Sequence, residues 1–369
     1  MNKVFKIFFL LTRRISSLKD DILNDDIRLY LLRENSFDAV RYFFALSILI
    51  AHFLELIGAE PLSFISSSVC VKGFFILSGF LVFNSFIEKT SVWKYVDRRV
   101  KRVCPAYFFT VVLCAIVGVF LTQLPVREYF LSIDTFKYLI ANLSFLNFLQ
   151  PTLPGVFENN PLQAVNGALW TIKIEVLFYI SVPFVYFLLR KYNKLLIILG
   201  ILLLSMSYWL TFLYLYNETG DNLYLTLRKQ FPGQFMYFYS GTLILLYFDY
   251  FQRYVKYIFP AAAILFFFRN EHIVLTILEP LSLASLIIGF AYNFKYLNFL
   301  RRYDNISYGI YLLHFPIIQV IVSCGIVEAS PVFAFMLSLL ITIILALFSW
   351  KFLEKPALKT KKRWIKELN

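Results

Sequence analysis

Charge is scarce in this 369-residue chain: Asp, Glu, Lys and Arg together make up 16% of it, against 59% apolar residues and a mean hydropathy of +0.68. A water-soluble globule has nowhere to bury that much apolar surface, so a soluble fold is excluded and a membrane protein is expected. Cysteine is equally sparse. Cys70, Cys104, Cys114 and Cys324 are scattered without CxxC spacing, which excludes a disulfide framework. Three histidines and no Cys/His cluster speak against a structural metal site. No internal repeat, low-complexity tract or appended soluble domain is visible. The apolar start, Val4 to Leu11, is too short to span and runs into Thr12-Arg13-Arg14, so no cleaved signal peptide is expected.

Long apolar runs are what the chain does have. A helix needs about 20 mostly apolar residues to cross the hydrocarbon. Ten segments qualify: 37–57, 69–87, 105–124, 168–189, 195–216, 232–251, 255–268, 273–292, 306–327 and 331–350. The seventh and eighth are separated only by Arg269 to His272, and Glu279-Pro280 interrupts the eighth, so a hairpin or a single re-entrant segment is open there.

The net charge of +13 is distributed in short clusters between the apolar runs. That pattern belongs to membrane anchoring rather than to nucleic-acid binding. With the N-terminus inside, 28 of the 36 Lys and Arg fall on the inner side; Arg127, Lys137, Arg228, Lys229 and Arg269 fall outside, and Arg41, Lys72 and Lys173 lie within spans. The expected layout is therefore a cytoplasmic N-terminal arm over residues 1–36, a transmembrane domain over 37–352 and a basic cytoplasmic tail over 353–369. The longest outer segment, Pro125 to Gly167, has an amphipathic middle from Phe136 to Leu149 suited to lie along the membrane surface.

Ionisable residues inside spans are costly and mark function. Arg41 and His52 are eleven residues apart in the first span; at 100° per residue they share one face, about 16 Å apart along the axis. Arg41 can simply snorkel, and His52 can serve as an interhelical donor. A neutral imidazole can also take a proton from a sugar hydroxyl. Glu175, in Trp170-Thr171-Ile172-Lys173-Ile174-Glu175, lies about 10 Å into the fourth span by helix rise. It either orients or stabilises an imidazolium, or it pairs internally with Lys173 or Lys72. Loop 88–104 carries Arg98, Arg99, Lys101 and Arg102, a set fitted either to phosphate clamping or to anionic lipid. In the second span Gly73 and Gly79 suit close packing and Ser78 offers a hydroxyl. His314 lies about 12 Å into its span, beside Pro316, which frees a backbone carbonyl and suggests a polar cavity. His272, in a short loop, has no assigned role.

Six stretches, in order, carry a resemblance: FDAVRYFFALSILIAHF at 37–53, KGFFILSGFLV at 72–82, RRVKRVCPAYFF at 98–109, LWTIKIEVLFY at 169–179, ISYGIYLLHFPI at 306–317 and SWKFLEKPALK at 349–359. Together they resemble the membrane-bound acyltransferase-3 family of bacterial surface-polysaccharide O-acetyltransferases.

The resemblance implies an all-α, ten-helix, multi-pass protein of the bacterial inner membrane. It also implies acetyl-CoA as cytoplasmic donor and a sugar hydroxyl on the far side as acceptor. The family's essential Arg and His map to Arg41 and His52, its Arg-x-x-Arg motif to Arg99 and Arg102, and its acidic position after the Trp to Glu175. On this reading His52, Arg41 and Glu175 are catalytic and Arg98, Arg99 and Arg102 hold the donor. Lys72, Ser78, Lys173 and His314 line the substrate path, and no metal or nucleic acid takes part. Tyr42 stands where many members have Gly, and Glu175 stands alone where many have two adjacent acids. The rival expectations are a transporter or flippase for a lipid-linked sugar, and a silent membrane receptor or assembly partner.

Overall fold

The computed structural model of the protein describes residues 35–62, 66–87 and 91–359; the expected N-terminal arm up to residue 34, and the end of the basic tail from 360, lie outside them. Among the described residues the chain is helical and contains no strand. The elements run α1 (Phe37–Leu56), α2 (Ser67–Ile87), α3 (Val92–Gly118), α4 (Val126–Leu131), α5 (Ile133–Leu143), α6 (Trp170–Lys191), α7 (Lys194–Thr219) and α8 (Asn222–Arg228). They continue with α9 (Phe231–Leu246), α10 (Phe248–Phe267), α11 (Ile273–Asn293), α12 (Ser307–Ser323), α13 (Ile326–Ala329), α14 (Pro331–Ser349), a π-helical turn (Trp350–Glu354) and α15 (Lys355–Lys359).

The expected spans are largely helical, although 232–251 straddles the break between α9 and α10 and 105–124 runs past the end of α3. Among the described residues seven helices are long and apolar enough to cross a membrane, or eight if α12 is joined to the bent turn before it. The remaining segments are shorter or more polar: α9 has 16 residues, and α10 carries Asp249, Arg253 and Lys256 in its first half. α10 and α11 are two separate helices packed on each other, so the hairpin is realised and Pro280 lies inside a continuous α11. His272, given no role from sequence, caps α11, its Nδ1 accepting from the Val274 amide at 3.2 Å.

Loop 88–104 needs correction. Residues 92–104 form the first turns of α3, which passes through Pro105. Proline removes one i→i−4 hydrogen bond; the acceptor left over is the Lys101 carbonyl, in the polar part of the helix. The amphipathic outer segment is α5, which buries Thr135, Tyr138, Ala141 and Asn142 and turns Ile133, Phe136 and Ile140 outward.

The chain divides into two compact units. The first takes in described residues up to 40, then 71–96 and 174–302. Its inner helix is α9, buried from Gly233 to Leu246 at nearly every position. There α2 and α9 cross backbone to backbone: a Cβ on Gly79 would stand 1.8 Å from the Phe238 carbonyl oxygen, and one on Gly241 would stand 2.2 Å from that of Ile76. This is the close approach that small residues permit between membrane helices. By contrast α7 buries only Ile198 and Ser205, and its leucines face outward as lipid-facing positions do.

The second unit takes in 41–70, 97–173 and residues from 303 on. Its inner helix is α12, packed along α14, where Gly309 meets Ala346. Helices buried all round are apolar all round, and α12 departs from that rule only at a few polar positions.

Candidate active site

Those polar positions build the site. α12 carries His314 and Gln319, both fully buried. Pro316 cannot donate to the Leu312 carbonyl four residues back, and that carbonyl instead accepts from Asn166 Nδ2 at 2.8 Å. The freed carbonyl expected from sequence is therefore satisfied by a side chain of the segment that precedes α6. Asn166 also accepts from the Ala168 amide at 3.1 Å, capping the turn that leads into α6. Next to it, Gly167 sits against the Phe315 ring with no room for a Cβ, and the hydroxyls of Thr171 and Tyr311 meet at 2.5 Å.

Further along α12, Gln319 donates to the carbonyls of Leu162 (2.6 Å) and Ala164 (2.8 Å) and accepts from Asn160 Nδ2 at 2.7 Å. The chain from 160 to 171 is thus strapped to α12. Sequence reasoning passed over Asn160, Asn166 and Gln319; a Gln in an otherwise apolar helix was the available signal.

His52, on α1, faces His314. His52 Nδ1 and His314 Nε2 are 2.8 Å apart, the rings nearly parallel with centroids 5.1 Å apart, and Phe315 stands edge-on to His52 at 5.4 Å. His314 Nδ1 lies 3.1 Å from the Ile310 carbonyl. A carbonyl can only accept, so that nitrogen bears the proton. In the neutral ring Nε2 is then an acceptor, and His52 Nδ1 must donate to it. The chain Ile310–His314–His52 leaves the lone pair of His52 on Nε2, ready to take a proton or attack a carbonyl. The Nδ1 position, where an orienting carboxylate such as Glu175 was one expectation, is held by His314.

Arg41, half-buried, is one residue from Tyr42, whose hydroxyl donates to the Asp304 carbonyl (2.9 Å) and accepts from the Ile306 amide (3.1 Å). Tyr42 thereby pins the segment that leads into α12.

Arg98 and Arg99 share one turn of α3 and Arg102 lies on the next. Arg102 reaches Glu354, a fully buried carboxylate in the π-helical turn, at 3.2 Å, and its guanidinium faces Tyr308 and Trp350. Ser349 donates to the other Glu354 oxygen at 3.3 Å, and Tyr308 donates to the Val103 carbonyl at 3.1 Å. Three motifs distant in sequence, 98–109, 306–317 and 349–359, meet here. Lys173 lies over the Phe148 ring at 4.4 Å.

Glu175, Lys72 and Ser78 belong to the first unit. Glu175 accepts from the Tyr179 hydroxyl. Ser78 Oγ is shielded without a hydrogen-bond partner among the described residues. Lys72 is bound to Glu279 at 2.9 Å, through both carboxylate oxygens. Among the described residues no group of three His, Cys, Asp or Glu side chains is arranged to hold a metal ion.

A family model described as an acyltransferase domain, acyltransferase-3, matches residues 34–351. Nodulation protein 10 of Rhizobium leguminosarum bv. viciae is 24% identical over 357 residues, covering 89% of this chain and 94% of that protein. The O-acetyl transferase of Shigella phage Sf6 is 24% identical over 334 residues, covering 88% and 96%. Peptidoglycan O-acetyltransferase OatA of Listeria monocytogenes is 25% identical over 330 residues, covering 78% of this chain but 50% of the relative. No solved structure matches.

Proposed function

The chain belongs to the acyltransferase-3 family, and from that premise we propose that it moves an acetyl group from cytoplasmic acetyl-CoA to a hydroxyl of a surface-polysaccharide sugar. The acceptor lies on the far side of the bacterial inner membrane. Relatives named as O-acetyl transferase and peptidoglycan O-acetyltransferase support the acyl group and the glycan class. The bias of Lys and Arg toward one side supports the orientation.

The observation that carries the reading is the His52–His314 pair. His52 Nε2 takes the proton of the acceptor hydroxyl as its oxygen attacks the thioester carbonyl carbon. The C–O bond forms, the C–S bond breaks, and the CoA sulfur leaves as thiolate and then collects the proton from His52. His314 fixes the tautomer throughout and holds the charge that develops on His52. The same lone pair serves a two-step route through an acetylated His52. Arg41, on the same face of α1, offers its charge to the pantetheine or thioester oxygen. Arg98 and Arg99 contact the donor phosphates, with Arg102 anchoring that helix to Glu354. Glu175 and its partner Tyr179 remain the acidic catalytic candidate, and Ser78 and Lys173 candidates for the substrate path.

O-acetyl content of the host's surface glycan, read by NMR in deletion, complemented and His52→Ala strains, tests this. Acetyl signals should vanish on deletion and return only with the wild type. Intact acetylation with failed glycan export would instead mark a transporter.

A further inference from the structure

A second cluster of ionisable side chains lies in the first unit; of its members only Lys72, bound there to Glu279, is expected from sequence to line the substrate path, and the others have no part in acyl transfer as drawn above. Lys72 Nζ contacts both oxygens of Glu279 at 2.9 Å, and the Tyr237 hydroxyl donates to Oε2 at 2.7 Å. Those bonds satisfy the carboxylate, which is almost fully buried. Arg269 Nε stands 3.8 Å from the same group, while its Nη1 donates to the Phe266 carbonyl at 2.8 Å. Arg228 is close enough to Lys72 and Tyr237 to act on both electrostatically. It makes no ion pair with a described residue, and its Nε is shielded from solvent without a hydrogen-bond partner. Lys72 and Arg269 thus converge on one carboxylate, with Arg228 close by Lys72 and Tyr237.

The arrangement is built, not incidental. Arg228 lies over the Trp209 ring at 4.8 Å. The Tyr208 hydroxyl holds the preceding carbonyl, that of Leu227, at 3.0 Å. A Cβ on Gly233 would stand 2.3 Å from the Arg228 oxygen, so the turn tolerates little but glycine there. Burial pushes the guanidinium of Arg228 down from its ordinary value.

Position narrows the ligand. Arg228 ends α8 and Arg269 lies in the turn between α10 and α11, both at helix ends where a membrane surface lies. Lys72 and Glu279 are one to two turns inside α2 and α11. Arg228 and Arg269 are also among the five cations that the charge bias leaves on the outer side. Membrane orientation therefore does not account for them. Uncompensated positive charge in a low-dielectric site is costly, and two guanidinium forks match the oxygens of a phosphate.

We propose that Lys72, Arg228 and Arg269, held around Glu279 and Tyr237, form a binding site for a phosphate group presented at this membrane face. The phosphate comes either from a lipid headgroup or from a soluble phosphate compound. The site stands apart from acyl transfer, because binding needs no acyl donor.

The test uses purified protein in dodecyl maltoside micelles, which carry no phosphate, in one arm supplemented with phosphatidylglycerol and in the other titrated with inorganic pyrophosphate. Retained lipid is counted by native mass spectrometry, and pyrophosphate affinity is read from the shift in melting temperature. Wild type should bind in at least one arm, and the arm that binds names the source. The double variant Arg228→Gln/Arg269→Gln should bind at least about tenfold more weakly, roughly 1.4 kcal/mol. Lys229→Gln removes an exposed neighbouring charge and should bind like wild type. If the double variant does not survive purification, Arg228→Gln alone carries the test, since that side chain makes no ion pair. Absence of wild-type binding in both arms, or an equal loss in Lys229→Gln, overturns the site. Either result leaves the acyl-transfer reading standing.

Discussion

His52 and His314, 262 positions apart in the chain, meet nitrogen to nitrogen at 2.8 Å, with the Ile310 carbonyl fixing the proton on the far side of His314. If His52 Nε2 is the working lone pair, its loss and the loss of its partner differ in kind. His52→Ala should lower CoA thiol release by roughly 10²–10⁴-fold, the usual worth of a positioned base. His314→Phe should lower kcat while leaving the donor KM near wild type and shifting the pH profile, because the tautomer of His52 is no longer set. His314→Gln, whose side-chain oxygen can accept from Nδ1, should restore part of the rate. Equal, unshifted activity in His314→Phe would remove His314 from the mechanism.

Asn166 and Pro316 form a compensating pair through the Leu312 carbonyl. Asn166→Ala leaves that carbonyl buried and unsatisfied, at a cost of about 1–3 kcal/mol, and should lower the melting temperature. Pro316→Ala supplies a backbone N–H four residues along. The double variant should therefore be less destabilised than the sum of the singles. Strict additivity in thermal melts would show that the two do not share the carbonyl.

Gly79 and Gly200 make a contrasting pair on membrane helices. Gly79→Ala drives a methyl into backbone, against the Phe238 carbonyl, and no rotamer can relieve it. Monodisperse protein should be sharply reduced in size-exclusion chromatography. Gly200→Ala on α7 meets nothing within 4 Å and should be neutral or stabilising by about 0.5–1 kcal/mol.

Arg102 and its neighbours separate structure from donor binding. Arg102→Ala strands the buried Glu354 carboxylate; breaking such a pair costs about 3–5 kcal/mol, so the melting temperature should fall. Arg98→Ala and Arg99→Ala should raise the KM for acetyl-CoA. A KM unaffected by either change would return the basic cluster to lipid anchoring.

The sequence by itself determined the class of this protein and roughly where most of its long helices lie, though not the start of α3 or the break between α9 and α10. Hydropathy and period are local properties, and 20 apolar residues in lipid have little choice but to form a helix whose backbone satisfies itself. Arg41 and His52 were legible for the same reason, standing out as polar residues in an apolar run at a spacing that fixes their face. Tertiary structure alone decided their partners. That His52 would meet His314, that Lys72 would find Glu279 rather than Glu175, and that Arg102 would reach Glu354 depends on which remote helices pack together. Such packing is set by side-chain shape and hydrogen-bond complementarity over hundreds of residues, and no window along the chain contains it.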